Sequence, residues 1–527
     1  KNKPKSKNRK NKPKSKNHKN KTKSKNRKNF KTAKDPKCKA GCPVDTATGA
    51  VIETRQDFVW GHTLEVVFTR EYDSQGADLP GLFGRGWIDT FSERLITSYE
   101  DEHVDFYSAS GEVVPFDIAA GTRRVFNPRF PYYTLIRQPR GFAIHDLRDD
   151  RTHHFELRGD QGRLTQISDA HGNSVALVYN GDLLTAAHHS DGLRLALRRV
   201  HSGRGTEHIY FERDDLPGSP AVARYTLEGG LLTEAQTQSS TLSYRYDSER
   251  RMARWSDSAR TWATYEYDEQ GRCVRSRAAD GLYSIDLTYD DTSWTTTVRD
   301  GKGNSTTYQF NRYGQLRFLT DPLGSTRSWA YDRHGQLIIE TNALGGATHH
   351  YYDPVSGQRV RTVDPSGHAT EYEYDDDLRV IAVADALGQV WRYERGAAGE
   401  ILAVTAPDGS SYTYRYDSHG RLKSIARTDG AMRTFDHDER GRLVRETDWL
   451  GHAYHYTYDA RDRISQARDP LDRAETLFYD PRERRTAIRH GDGSQRRCTY
   501  DSEHNLTELT DENGHTARAE FGAFDLQ

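Results

Sequence analysis

Hydrophobic residues are scarce in this 527-residue chain: they make up 34% of it, methionine occurs twice and cysteine four times. That is meagre for a solid globular core and suits sheets with wide wetted faces or a hollow assembly. No stretch approaches 18 apolar residues, so none reads as a transmembrane helix, and the amino-terminal residues lack the apolar run of a signal peptide. We therefore expect no self-anchoring and no export by the usual leader. No amphipathic helix longer than about three turns is legible either.

Charge is unevenly distributed rather than scarce. Residues 1–40 hold 19 of the 76 Lys and Arg and one acid, Asp35. The remaining residues carry 57 basic and 76 acidic side chains, a net charge of −19. The basic segment repeats every nine residues ("KNKPKSKNR", "KNKPKSKNH", "KNKTKSKNR") with no apolar residue before Phe30. Such a stretch cannot bury enough surface to offset its ordering entropy, so it reads as a disordered tail. A solvated tether is the first reading, and weak polyanion binding by residues 1–34 is the second.

Cys38 and Cys42 stand in "CKAGC" without the second Cys/His pair a zinc site needs, so they read as thiols or a small disulfide loop. Cys273 and Cys498 fall in strand-like stretches and read as small buried hydrophobes. "GLFGRGW" at 81–87 lacks the Gly-Lys-Ser/Thr ending of a phosphate loop and reads as a turn on which Trp87 packs.

What the chain does have is periodicity. An Asp after a Tyr, or its stand-in, falls at Asp247, Asp268, Asp290, Asn311, Asp332, Asp353 and Asp375. After a degenerate Tyr393-Glu394 the marks resume at Asp417, Asp438, Asp459, Asp480 and Asp501, an average of about 21 residues apart. A second mark, typified by "DPLG" ending at Gly324, "DALG" at Gly388 and "DWLG" at Gly451, lies halfway between, with Asp472 filling one slot. A period this regular marks a repeat architecture.

In "YTYRYDSHGRL", Tyr412, Tyr414 and Tyr416 share one strand face while Thr413 and Arg415 share the other. The Asp of the following turn accepts from the backbone ahead and Gly supplies positive φ. A second strand follows, and the Asp-Pro-x-Gly turn sends the chain back. Each repeat is thus one β-hairpin, the fold all-β, and neighbouring tyrosines are expected to stack in cross-strand ladders.

These motifs, "YDxxGRL" beside "DPxG" and preceded by "CPVDTATGAVIETRQDFVW" and "GLFGRGW", resemble the Rhs/YD-repeat proteins. The resemblance implies an antiparallel ribbon spiralling into a hollow shell, a β-cocoon, incomplete in this chain. It divides the sequence into a Lys-rich tail (1–40), a β domain opening the core (41–150), degenerate hairpins (151–236) and the YD array (237–527). In that family the shell encloses a polymorphic toxin at its carboxyl end, and teneurins and Tc-toxin cocoon subunits are built similarly. The resemblance implies that cargo as a partner, a PAAR/VgrG-type secretion spike as another, and export by a type VI machine. The family's terminal Asp-Pro-x-Gly-Leu self-cleavage motif is not matched: "DPLGS" at 321–325 has Ser in place of Leu and sits mid-array.

No catalytic, cofactor-binding or metal-ligating residue is assigned. Asp417 and Asp459 could pass for glycosidase acids, but their recurrence is turn chemistry. "YDDDL" at 374–378 has no calcium-loop pattern, and the His153-His154, His188-His189 and His349-His350 pairs have no zinc or triad spacing. Most histidines are expected to face solvent. Two functions remain: a non-catalytic casing for a toxin encoded beyond residue 527, and a cell-surface adhesion or glycan-binding protein. An inward tyrosine lining favours the first, and a flat sheet with exposed aromatic rows the second.

Overall fold

The computed structural model describes residues 39–76, 81–98, 102–118, 121–203, 205–238, 240–257 and 260–525. The tail expectation and Cys38 lie outside these residues. Strands occupy more than half of the described residues, and the only helical turns among them are two three-residue 3-10 turns. The all-β expectation holds.

One long antiparallel sheet starts at Arg94–Ser98 and runs to Thr516–Arg518. Its first strands lie inside the stretch read as the opening domain. The sheet forks at Gln161–Ser168. One edge of that strand pairs with Arg151–Arg158, while its other edge is shared. Gln161, Gly162 and Arg163 pair there with Ile96, Leu95 and Arg94, and Gln166, Ile167 and Ser168 pair with Ala176, Val175 and Ser174. From the fork the ribbon continues one hairpin at a time.

Register shifts recur along the array at one place, just before the tyrosine of the YD mark or its stand-in, as at Arg415/Tyr416, Thr457/Tyr458, Phe478/Tyr479 and Thr499/Tyr500. The hairpin of Ile285–Asp290 and Thr295–Asp300 has none. A β-bulge bends its strand and increases the local twist. Repeated in phase along the array, the bends add up and the ribbon curls back onto itself.

The meeting of the windings is seen in hydrogen bonds between residues far apart in sequence. Arg379 Nη2 donates to Asp150 Oδ1 at 3.0 Å, Asn173 Nδ2 to the His419 carbonyl at 2.8 Å, and the Phe524 amide to Thr261 Oγ1 at 2.8 Å. Their separations of 229, 246 and 263 residues give the length of one winding. The YD turns of the second winding rest on the other row of turns of the first. The opposite rim of the second winding carries exposed leucines, Leu323, Leu344, Leu387, Leu450 and Leu471, at one turn position.

Inside the first winding sits a small sheet of Ile52–Trp60, Val66–Asp73 and Trp87–Asp89. Its aromatic side chains pack on the ribbon's tyrosine-bearing face: Phe68 meets Phe211 at 4.9 Å and Phe58 meets it at 5.4 Å. Backbone groups join the two parts as well. The Met252 amide donates to the Tyr72 hydroxyl at 2.7 Å, and Thr296 Oγ1 donates to the Thr46 carbonyl at 2.7 Å. The contiguous apolar core extends from Cys42 to Trp329. Beyond residue 330 the buried hydrophobic residues among those described are Ala382, Ala487, Ile488, Cys498 and Ala523. This small sheet, the plug, fills the first winding, and no described residue fills the second.

Candidate functional site

The tyrosine face is the surface this chain presents, and one unit of side-chain bonding builds it. Asp438 Oδ1 accepts the amides of Arg440 and Arg442 at 3.0 and 2.9 Å, closing the turn. Arg442 Nε donates to Asp438 Oδ2 at 2.7 Å, and its guanidinium lies 4.7 Å from the ring centre of Tyr458 in the next hairpin. The Tyr458 hydroxyl donates back to the Leu443 carbonyl at 2.6 Å. Burial lowers the Arg442 pKa, and the hydrogen bond and charge of Asp438 outweigh it, leaving the pKa raised. The same Asp–Arg–Tyr stitch recurs at Asp268, Arg272 and Tyr289, at Asp459, Arg463 and Tyr479, and at Asp480, Arg484 and Tyr500. Where the tyrosine is replaced by Arg395, its Nε donates to the equivalent carbonyl, that of Val380, at 3.0 Å.

The expected tyrosine ladders do not form. Tyr414 lies opposite Ile425 and Tyr416 opposite Leu422, because tyrosine-bearing strands alternate with aliphatic ones. Successive tyrosine strands are therefore two strand spacings apart, roughly 9.6 Å, beyond ring contact. Arginine fills the gap. The face is also less apolar than expected. Arg433 shares it with Phe435 and pairs with Glu446 at 3.0 Å, and Arg427 lies over Trp449 at 5.3 Å. The opposite face carries cross-strand ion pairs such as Arg275 with Glu266 and Asp286, at 2.9 and 3.0 Å.

The plug is held by a buried polar knot invisible in the sequence. Arg70, with no exposed surface, donates to Asp57 Oδ2 at 2.6 Å and to the Tyr244 hydroxyl at 3.0 Å. Asp57 also accepts from the Tyr225 hydroxyl at 2.6 Å. Burial opposes the Arg70 charge, and Asp57 more than restores it, holding the pKa well above its ordinary value. Asp89 is buried too. Desolvation pushes its pKa up to about 6 against the hydrogen bonds from Ser92 and the Phe91 amide.

Asp417 Oδ1 accepts the amides of His419 and Arg421, as turn chemistry requires, and Asp459 does the same for Arg461 and Arg463. Asp321 accepts from Leu323 and Ser325 at 2.9 and 3.0 Å in an ordinary exposed turn. Asp375 likewise closes its turn on Asp377 and Arg379. Trp87 is buried and donates to the Tyr246 hydroxyl at 3.0 Å, so "GLFGRGW" is a packing turn. Gly84 is fixed there at φ +82 because a Cβ would come 2.0 Å from the Gly230 carbonyl. Cys42, Cys273 and Cys498 are free and buried, and burial pushes the first two thiols up to about 12. The histidine expectation needs correction at two positions: His189 is buried and bonds the Leu64 carbonyl at 2.8 Å, and His153 lies against Glu93 at 2.5 Å. Both tie the ribbon to what packs on it, which no spacing rule signals.

The RHS repeat family model matches residues 310–347, 374–411, 397–434, 416–453 and 437–474. The chain carries Rhs/YD repeats. Residues 41–116, the plug and the first strands of the Rhs sheet, match a domain of unknown function, DUF6531. Probable deoxyribonucleases RhsB and RhsA of Dickeya dadantii (strain 3937) are each 34% identical over 287 residues, covering 53% of this chain and 20% of each relative. The double-stranded DNA deaminase toxin A of Burkholderia cenocepacia (strain H111) is 28% identical over 278 residues, 46% of this chain and 19% of that protein. The Rhs chain thus spans about a fifth of the length of the curated relatives it matches. Among solved structures it is similar to TcdB2-TccC3, with a TM-score of 0.42 and 13% identity over 84% of this chain and 25% of the other.

Proposed function

We propose that this chain is wall, and not catalyst: part of a casing that encloses and delivers a toxin domain carried on the same polypeptide beyond residue 527. The observation that carries this reading is the contrast between windings. The first is filled by the plug, whereas the second turns an unfilled, half-exposed tyrosine face to the same side. A face of stacked Arg and Tyr offers a cargo chain many weak, sequence-tolerant contacts. Relatives named as deoxyribonucleases and as a DNA deaminase toxin suit a common wall with interchangeable cargo. The finer reading is secretion in interbacterial competition, by a type VI machine whose PAAR/VgrG-type spike joins a region amino-terminal to this one. The adhesion alternative called for a flat sheet, and the bonds between windings speak against it.

The test is to express the chain with its natural downstream sequence and follow limited proteolysis of that sequence. Encapsulation predicts digestion at least tenfold slower than for the downstream domain alone. Equal rates would return the adhesion reading.

A further inference from the structure

At the seam where the second winding meets the first lies a cleft of about 590 Å³. Trp60 and His62 of the plug, Arg213 and Arg224 of the first winding, and Arg463 and Arg482 of the second line it. Three acids share the lining: Glu65, Asp462 and Glu483. Asp462 is already taken. It accepts from Arg213 and Arg442 at 2.8 Å each and from Arg440 at 3.3 Å, with His62 at 3.7 Å. Glu483 lies 3.9 Å from Arg461, and Arg463 pairs with Asp459.

Two cations are left over. Arg224 lies over the Tyr210 ring at 5.7 Å, and Arg482 Nη1 reaches only the Ser502 carbonyl at 3.4 Å. Beside His62 Nε2, which lies 3.7 Å from Asp462, the cleft residues hold three buried nitrogens without a hydrogen-bond partner: Trp60 Nε1, Arg224 Nε and Arg463 Nη1. All three are donors. A buried N–H without an acceptor is unfavourable, and forked guanidinium groups match the oxygens of phosphate. The three buried donors thus lack an acceptor, the remaining lining acid, Glu65, being exposed to solvent.

We propose that the seam cleft binds a phosphoryl oxyanion, free or as a small monoester, which clasps the second winding to the first and to the plug. Arg224 and Arg482 supply the charge from opposite sides of the seam. The binding is independent of what the casing encloses.

Calorimetric titration of the chain with inorganic phosphate, and separately with ribose 5-phosphate, tests this. At constant ionic strength one saturable site per chain is expected for at least one of the two, and the better ligand identifies the source. The R224Q/R482Q variant should lose at least tenfold in affinity, whereas R415Q, outside the cleft lining, should bind as the unaltered chain does. The phosphate-dependent rise in thermal midpoint should vanish in the double variant only. If that variant does not fold, R224K/R482K, which keeps charge and loses the forked donors, should bind more weakly than the unaltered chain. Absence of saturable binding by both ligands, or equal affinity in the altered and unaltered cleft, would overturn the proposal.

Discussion

Arg213 Nη1 lies 2.8 Å from Asp462 Oδ2 although 249 residues separate them. Asp462 occupies a turn slot held elsewhere by glycine and adopts φ 66° to do so, a conformation that disfavours a side chain. Burial would raise its pKa, but His62 and Arg213 outweigh burial and hold the carboxylate well below its ordinary range. An unfavourable local backbone is offset by a contact between windings.

Asp462→Asn should therefore loosen the seam without unfolding the hairpin. Three arginines and a histidine lose their shared anion but can rehydrate, so we expect a cost of about 1–3 kcal/mol. Hydrogen exchange should accelerate at both Arg213 and residues 459–463. Exchange confined to the mutated turn would mean the windings do not depend on this contact.

Tyr458→Phe removes the hydroxyl bonded to the Leu443 carbonyl and leaves the ring under Arg442. The expected loss is about 0.5–1.5 kcal/mol of local stability, read as faster exchange in the strands Leu443–Thr447 and Ala453–Tyr458. Tyr412→Phe, on an exposed ring with no hydroxyl bond recorded, should change little.

Asp89 makes the plug pH-sensitive. Its folded pKa of about 6 is above the unfolded value near 3.8, so the native state holds its proton more tightly. The contribution is fully present below pH 4 and is lost as pH rises through 6. Denaturant midpoints should fall over that window through this group, and Asp89→Asn should flatten the fall. An unchanged slope in the variant would show that Asp89 ionises freely in the folded protein.

Asp321 is the nearest look-alike of a self-cleavage turn, and its carboxylate only closes the turn onto Leu323 and Ser325. The chain should migrate as one intact band, and Asp321→Asn, which keeps the acceptor, should alter stability by less than about 0.5 kcal/mol. Fragments that disappear in the variant would establish cleavage here.

The hairpin was legible in the residues: Asp417 with His419 and Arg421, and Gly324 at φ +85, are where turn chemistry places them. The tyrosines were legible as a shared face but not as bonding partners. Alternation along one strand says nothing of the aliphatic strand between, where Ile425 and Leu422 stand opposite Tyr414 and Tyr416. The Arg70–Asp57–Tyr225 knot was hidden because its members lie up to 168 residues apart and each looks like an ordinary strand residue. The length of one winding was hidden for a different reason. It is the sum of small bends at successive bulges, and no residue encodes a sum.

The winding itself is the central claim, and one distance tests it. Spin labels at exposed Ala170 and Ser418 flank the Asn173–His419 contact of 2.8 Å. If the second winding rests on the first, pulsed dipolar spectroscopy should give a narrow distribution below about 25 Å. The twenty-three strands between the two turns, laid flat at about 4.8 Å each, would instead hold the labels roughly 110 Å apart. A short distance supports a wound wall, and the absence of any short component would contradict it.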